Sequence, residues 1–297
     1  MVVSWSLELP KTPGFGRSNH AFHHEIHQVP GVLILDDSVS CTIFQPEQGR
    51  SLRADWISNH QLQDFNTQKS SQWDGLRHFA YQKEQLFYNR TSPEKVLSGD
   101  SGSLGIQNWS NAGGIAGRGV LLDYWSWGEE NGKFGDMSTN TPIMYDDLMR
   151  CYHDQQARSI RPLELRSGDI LLVRSGFTKA YLGLGADTEK AIGSAFPMKA
   201  AGVHQDKRLL EWLWTNQVAA VGGDAQGWEC LPADESAGCL FHEVLLAGWG
   251  CPISELLYLE DLAAACKENR QWTFLLTSSP LNVFGGVASP ANMMAIL

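Results

Sequence analysis

The chain is poor in positive charge. It carries 23 Lys and Arg against 33 Asp and Glu, for a net charge of −10 over 297 residues. Nucleic acids and anionic membranes are recognised by clustered cations, so neither is expected as a partner. No apolar run approaches the ~18 residues that a membrane span requires. No C-x-x-C pair occurs among Cys41, Cys151, Cys230, Cys239, Cys251 and Cys266, which removes the usual zinc-ribbon and dithiol signatures. Buried free thiols in a cytoplasmic protein are the expectation. No cationic segment followed by an apolar one opens the chain, as a secretory leader would, and the sequons at Asn89 and Asn108 are read as chance matches. There is no internal repeat and no low-complexity linker. The organisation expected is an irregular arm over 1–30, studded with Pro10, Pro13, Gly14, Gly16 and Pro30, and one α/β domain over 31–297.

What the chain does have is aromatic and apolar mass: 11 Trp, 7 Tyr and 43% apolar residues. Such aromatics fill a large core or line a pocket for an organic ligand. Four histidines in eight residues (His20, His23, His24 and His27) have helical spacing for a metal site. Their breaker-rich surroundings, without an acidic or Cys partner, favour a polar surface arm.

Several segments declare their elements. Val32–Leu35 reads as a strand closed by Asp36 and Asp37, and Gly113–Gly119 as a glycine-rich loop leading into a buried strand at 120–123. A dinucleotide fingerprint needs its glycines after a strand and at a helix start, the reverse of this order. Residues 124–142 read as a long loop able to lid a pocket. Helices are expected at 145–156, 206–216, 241–249 and 259–266, and strands at 170–173, 218–221 and 272–277.

The chemistry concentrates in Ser71-Gln72-Trp73-Asp74-Gly75-Leu76-Arg77-His78. If the chain stays extended there, Gln72, Asp74 and His78 point the same way. Asp74, His78, His242 and Glu255 supply two carboxylates and two imidazoles, a donor set suited to a divalent cation. Arg174, at the end of a strand, suits an anionic group or a structural ion pair. Asp224, beyond the strand at 218–221, is a pocket residue or a turn former.

Gln72-Trp-Asp74-Gly-Leu-Arg-His78 resembles the second half of the H-x-G-T-H-x-D-x-P-x-H signature of the cyclase family, which includes kynurenine formamidases and isatin hydrolases. The resemblance continues through Gly117–Asp123, Gly168–Gly176, Gly222–Asp224, His242–Leu246, Ile253–Leu256 and Ser279–Gly286, in order from about residue 65 to the end. It implies a single α/β domain of the kynurenine-formamidase type (the swivelling β/β/α kind), with a mixed central sheet or partial barrel flanked by helices. It also implies a divalent metal (Mn, Zn or Mg) on Asp74, His242 and Glu255, with Gln72 as a further ligand. Asp74 and His78 would be the catalytic residues, His78 shuttling protons in the range where imidazole titrates. Trp73, Arg77, Tyr88, Arg174 and Asp224 are candidate substrate contacts. The chain departs from the signature at Gln68 and Gln72, where the family has His, and at Leu76, where it has Pro. A weaker amide oxygen replaces imidazole at two places, which argues against a tight binuclear zinc centre. Gln-Trp-Asp versions resemble a fungal-type branch of the family. The activity expected is hydrolysis of an amide, lactam or lactone bond in a small cyclic or aromatic molecule. A cyclase, dehydratase or isomerase of secondary metabolism, or a non-catalytic ligand-binding relative, stands as the alternative. By resemblance the chain is expected to be a homo-oligomer.

Overall fold

The computed structural model describes residues 67–96, 102–133, 135–195, 198–234, 236, 238, 240–282 and 284–297, together with the backbone of residue 97 and of four strands nearer the N-terminus. Those strands form two antiparallel pairs: β1 (His23–Gln28) with β2 (Leu35–Ser40), and β3 (Trp56–Asn59) with β4 (Leu62–Asn66). Next come β5 (Gln72–Asp74), a 3-10 turn (Tyr88–Arg90), α1 (Pro93–Leu97), α2 (Gln107–Asn111), β6 (Ile115–Leu122) and α3 (Tyr124–Asn131). The middle of the chain supplies β7 (Pro142–Ile143), α4 (Tyr145–Arg158), β8 (Ile170–Val173), α5 (Phe177–Leu182), α6 (Ala186–Ser194), β9 (Gly202–Val203) and α7 (Lys207–Thr215). The remainder is β10 (Ala220–Gly223), a π-helix (Glu243–Trp249), β11 (Ile253–Glu255), α8 (Glu260–Asn269), β12 (Thr273–Ser278), β13 (Ala288–Pro290) and β14 (Met293–Ile296).

One mixed sheet of eight strands organises the domain, in the order β13-β5-β11-β10-β8-β6-β12-β14. Its centre is parallel, β6 to β8 to β10 to β11, and both flanks are antiparallel. The mixed α/β architecture is the one expected. Parallel strands are covered on both faces and therefore read as unbroken apolar runs. Val120–Leu122 and Ile170–Val173 are such runs, and all seven residues are buried. Each such side chain contributes roughly 1.5–3 kcal/mol by leaving water. Helix α7 closes on the same core through Leu209 and Leu213, its first turn capped by the Asp206 carboxylate accepting from Arg208 N.

Four expectations need correction. Residues 115–119 of the glycine-rich segment are the first half of β6, and only Gly113 and Gly114 form a turn before it. Gly119 lies under the ring of Phe274 from β12, where a Cβ would collide with the aromatic carbons. Residues 124–131 are a helix, not a lid: Asp123 caps it by accepting from Ser126 N at 3.2 Å, and Gly132 ends it at φ 64°. β1 lies inside the first 30 residues, read as irregular, because the prolines flank it rather than interrupt it. β2 runs through Asp36 and Asp37, which were read as the end of a strand. Residues 32–34, His20 and the side chains of His23, His24 and His27 lie outside the described residues, as do Cys41 and Cys239. Cys151, Cys230, Cys251 and Cys266 are buried free thiols, as expected, and burial pushes Cys230 up to about 11 and Cys251 and Cys266 up to about 12. Among the described residues no helix is long and apolar enough to cross a membrane.

Candidate functional site

β5 lies between β11 and β13, and strand alternation puts Gln72 and Asp74 on one face and Trp73 on the other. The strand does not remain extended to His78. Gly75 N donates to Val287 O at 3.0 Å, and His78 N then donates to Gly75 O at 2.9 Å, closing a turn. A side chain at Gly75 would strike the Val287 carbonyl. The glycine thus permits the tight approach that swings His78 back over Asp74.

Two further segments reach the same place. His242 stands at the start of the π-helix, a rare geometry that occurs mostly as local bulges at functional sites. Glu255 ends β11 directly opposite Gln72. His242 Nε2 lies 3.2 Å from Glu255 Oε1 and 3.8 Å from Asp74 Oδ2. Asp74, His78 and His242 each bring one ligand atom to within 4.8 Å of the others. Asp74, Glu255 and His242 are buried, while His78 is half-exposed. Phe79 flanks both imidazoles, 5.4 Å from the His242 ring and 6.1 Å from that of His78.

The two glutamines standing where the family has histidine hold this cluster together. Gln72 Nε2 donates to Asp74 Oδ1 at 3.1 Å and to Glu255 Oε2 at 2.8 Å. Gln68 Nε2 donates to the same Asp74 oxygen at 2.5 Å and lies 3.1 Å from His78 Nδ1. Gln72 was expected as a metal ligand. Here it presents its N–H group to two carboxylates and holds them in place.

One essential-looking residue was not foreseen. Glu229 is fully buried. Its Oε1 accepts from His242 N at 2.9 Å and lies 2.7 Å from His242 Nδ1; its Oε2 accepts from Phe241 N and from Gln205 Nε2, both at 2.8 Å. Burial would raise the Glu229 carboxyl, but the donated hydrogen bonds outweigh it and hold it below its ordinary value. A carboxylate gripping Nδ1 leaves Nε2 to face the site, the usual arrangement of a metal-binding histidine. His242 itself is held protonated well above the ordinary imidazole range. Its burial works against this, and Asp74, Glu229 and Glu255 together prevail. The cluster is built around one positive charge.

That donor set fits a divalent cation. Around an ion with bonds of ~2.1 Å, adjacent ligand atoms stand about 3–3.5 Å apart, close to the 3.2 and 3.8 Å that separate His242 Nε2 from Glu255 and Asp74. Two carboxylates and an imidazole suit Zn, Mn or Mg without choosing among them.

The five candidate substrate contacts are engaged within the fold. Trp73 is fully buried in the core, donating to Ser278 Oγ at 2.9 Å. Arg77 ties two loops together through Ser103 O and Gly285 O at 2.7 and 2.9 Å. Tyr88 packs against Gly250 at the far end of the π-helix. Arg174 bridges Asp123 and Glu260, with both contacts at 2.6 Å. Asp224 accepts from Ser175 N, Ser175 Oγ and Gly176 N and fastens the turn between β8 and α5.

The Cyclase family model matches residues 10–230. His242 and Glu255 fall beyond that span, and the geometry unites them with Asp74. No curated protein is similar to the sequence. Among solved structures, one described as a novel cyclase shares 23% identity at a TM-score of 0.75, covering 100% of this chain and 88% of its own. Isatin hydrolase A from Labrenzia aggregata, bound to benzyl benzoate, shares 12% at 0.59, covering 100% and 93%. Isatin hydrolase A from Ralstonia solanacearum shares 12% at 0.60, covering 100% and 91%. At these identities the likeness is one of fold. Together with the family match over most of the sequence, it gives the chain its place: it belongs to the cyclase family.

Proposed function

We propose that the protein is a metal-dependent hydrolase that opens an amide, lactam or lactone bond in a small cyclic or aromatic molecule. The observation that carries this reading is the convergence of Asp74, His78, His242 and Glu255, from three separate segments, on one cluster with a single half-exposed member. Isatin hydrolases among the structural neighbours support the lactam end of the substrate range.

Asp74, His242 and Glu255 would hold the cation, which supplies a Lewis acid for the substrate carbonyl. The chain's own residues do the rest. Glu229 fixes the His242 ring, and Gln72 fixes the two carboxylates. His78, on the exposed side, carries a proton from the attacking water to the departing nitrogen or oxygen as the carbon–heteroatom bond breaks. Phe79 gives a flat apolar wall beside both rings, where a cyclic substrate can lie and bulk water cannot.

The test is an assay of purified protein on formanilide, isatin and an aryl lactone, before and after chelation and after return of Mn, Zn or Mg. Stripping should abolish turnover and one of the ions should restore it. His78→Ala should lose about 10²–10⁴-fold in kcat with the metal still bound. Full activity in protein shown by elemental analysis to be metal-free would sink the mechanism. A second reading, proton transfer without hydrolysis, draws support from Gln68, which links the Asp74 carboxylate to the His78 ring. Incorporation of ¹⁸O from labelled water into the product would exclude it.

A further inference from the structure

The loop that leaves His78 runs along the π-helix that His242 opens. At its base is Phe79, half-buried, with its ring 5.4 Å from that of His242 and 6.1 Å from that of His78. Its tip closes on itself: Tyr81 N donates to Leu86 O at 2.9 Å, and Gln85 N donates to Tyr81 O at 2.8 Å. Gln85 takes φ 54° in that turn, a left-handed conformation that a residue with a side chain keeps only when its surroundings hold it there. Residues 82–85 are exposed, so the tip has little buried apolar surface of its own, and segments of that kind open locally at low cost.

Three contacts on the π-helix oppose that opening. The Tyr81 hydroxyl lies over Gly248 and the Tyr88 ring over Gly250, each so close that a Cβ on the glycine would strike it. The third contact is polar. Gln82 N donates to Glu243 Oε1 at 2.8 Å, and Glu243 Oε2 accepts from Leu240 N at 3.4 Å. Glu243 is half-buried and directly follows His242. One carboxylate therefore holds both the loop after His78 and the approach to His242. A backbone N–H bonded to a carboxylate is stronger than one bonded to a neutral acceptor. Both Glu243 oxygens are taken up by backbone N–H groups, so the side chain acts on the metal centre through the loop. An apolar wall that is already in place when a ligand arrives strengthens binding, because its ordering is not charged to the complex.

We infer that Glu243 is a positioning residue: by accepting the Gln82 amide it holds the loop on the π-helix and keeps Phe79 as a fixed wall that favours a ring-bearing substrate over an open-chain one. The substrate preference rests on the hydrolase reading above; the fastening of the loop does not.

Two measurements on metal-loaded protein test this. Amide hydrogen exchange over residues 80–88 reads the fastening. Calorimetry with 1-indanone and 4-heptanone, a ring ketone and an open-chain one without hydrolysable bonds, reads the wall. The parent should bind 1-indanone the more tightly. In Glu243→Ala, exchange over the loop should be about 10-fold faster, and 1-indanone should bind about 2- to 10-fold more weakly, with metal affinity unchanged. Glu243→Gln, whose amide oxygen still accepts the N–H, should recover both. Gln82→Pro removes the donor at a turn position that proline suits, and it covers the case in which Glu243→Ala does not fold. It should match the alanine variant, and the double variant should go no further, because one bond is shared. Loop exchange unmoved by either change, faster exchange with 1-indanone affinity intact, additive effects in the double variant, altered metal affinity, or a parent that does not prefer 1-indanone would overturn the inference. A parent that binds 1-indanone as expected but turns over neither isatin nor formanilide would refute the hydrolase reading and leave the fastened wall standing.

Discussion

Glu229 shows how one side chain decides what its neighbour can do. It accepts from the backbone of Phe241 and His242 and grips His242 Nδ1, while Gln205 holds its second oxygen. Glu229→Gln keeps the shape but replaces a charge-assisted bond with a neutral one. Loss of such an outer partner costs roughly 10–100-fold in metal affinity, so a fluorescent-chelator competition should find the variant weaker by that factor, with the fold intact by circular dichroism. Unchanged affinity would mean that Nε2 is held by Asp74 and Glu255 alone. At this scale the sequence was half legible. Asp74, His242 and Glu255 could be picked out because a cation needs N and O donors and the resemblance aligned them. Glu229 sits among Trp228, Cys230 and Leu231, and an isolated carboxylate in an apolar run is a sign of a buried, paired charge. That sign was present and unread. The roles of Gln68 and Gln72 were not legible, since composition does not reveal whether an amide turns its oxygen or its nitrogen to a carboxylate.

Elements around the sheet's parallel centre are joined by an ion bridge through Arg174, which the sequence presented as a binding residue. Arg174 leaves the end of β8, meets Asp123 at the end of β6 and Glu260 at the start of α8, and donates also to Ser126 in α3. Burial opposes its charge, but the hydrogen bonds to Glu260 and the field of both carboxylates raise its pKa. Removing one partner from a buried pair costs about 3–5 kcal/mol, because a carboxylate stays behind uncompensated. Arg174→Met should therefore lower stability in urea unfolding by about 3 kcal/mol, reduced somewhat because Glu260 keeps some solvent contact. The KM of any substrate found active should not move; a raised KM with unchanged stability would return Arg174 to substrate binding. An arginine at a strand end looks the same in sequence whether it waits for an anion or already has one. Apolar runs gave β8 and the last three residues of β6, and periodicity gave α4, α7 and α8 to within a few residues. α3 was missed because its Trp, Gly and Asn hid a helix whose start is marked by the Asp123 cap, and α5 and α6 because neither has a strong apolar stripe.

For the whole molecule the central fact is that β5, β11 and the segment after β10 deliver three carboxylates, Asp74, Glu255 and Glu229, to one imidazole at the start of the π-helix. In metal-stripped protein His242 is the cation of that cluster, with its pKa above the ordinary value. A group raised on folding stabilises fully below its unfolded pKa, near 6.5, and loses that contribution as pH rises through the folded value. Stripped protein should thus lose stability as pH rises above about 6.5, by at most ~1.4 kcal/mol per pH unit, and His242→Asn should flatten the slope. Saturating metal should cancel it. Ligation requires neutral imidazole, so the ion competes with the proton and binds more tightly as pH rises, and its stabilisation grows with the logarithm of its concentration over Kd. Thermal melts over that range should give a falling line without the ion and a flat one with it. Parallel slopes would show that His242 is not where metal and proton compete, and the ligand set would then have to be sought at His78.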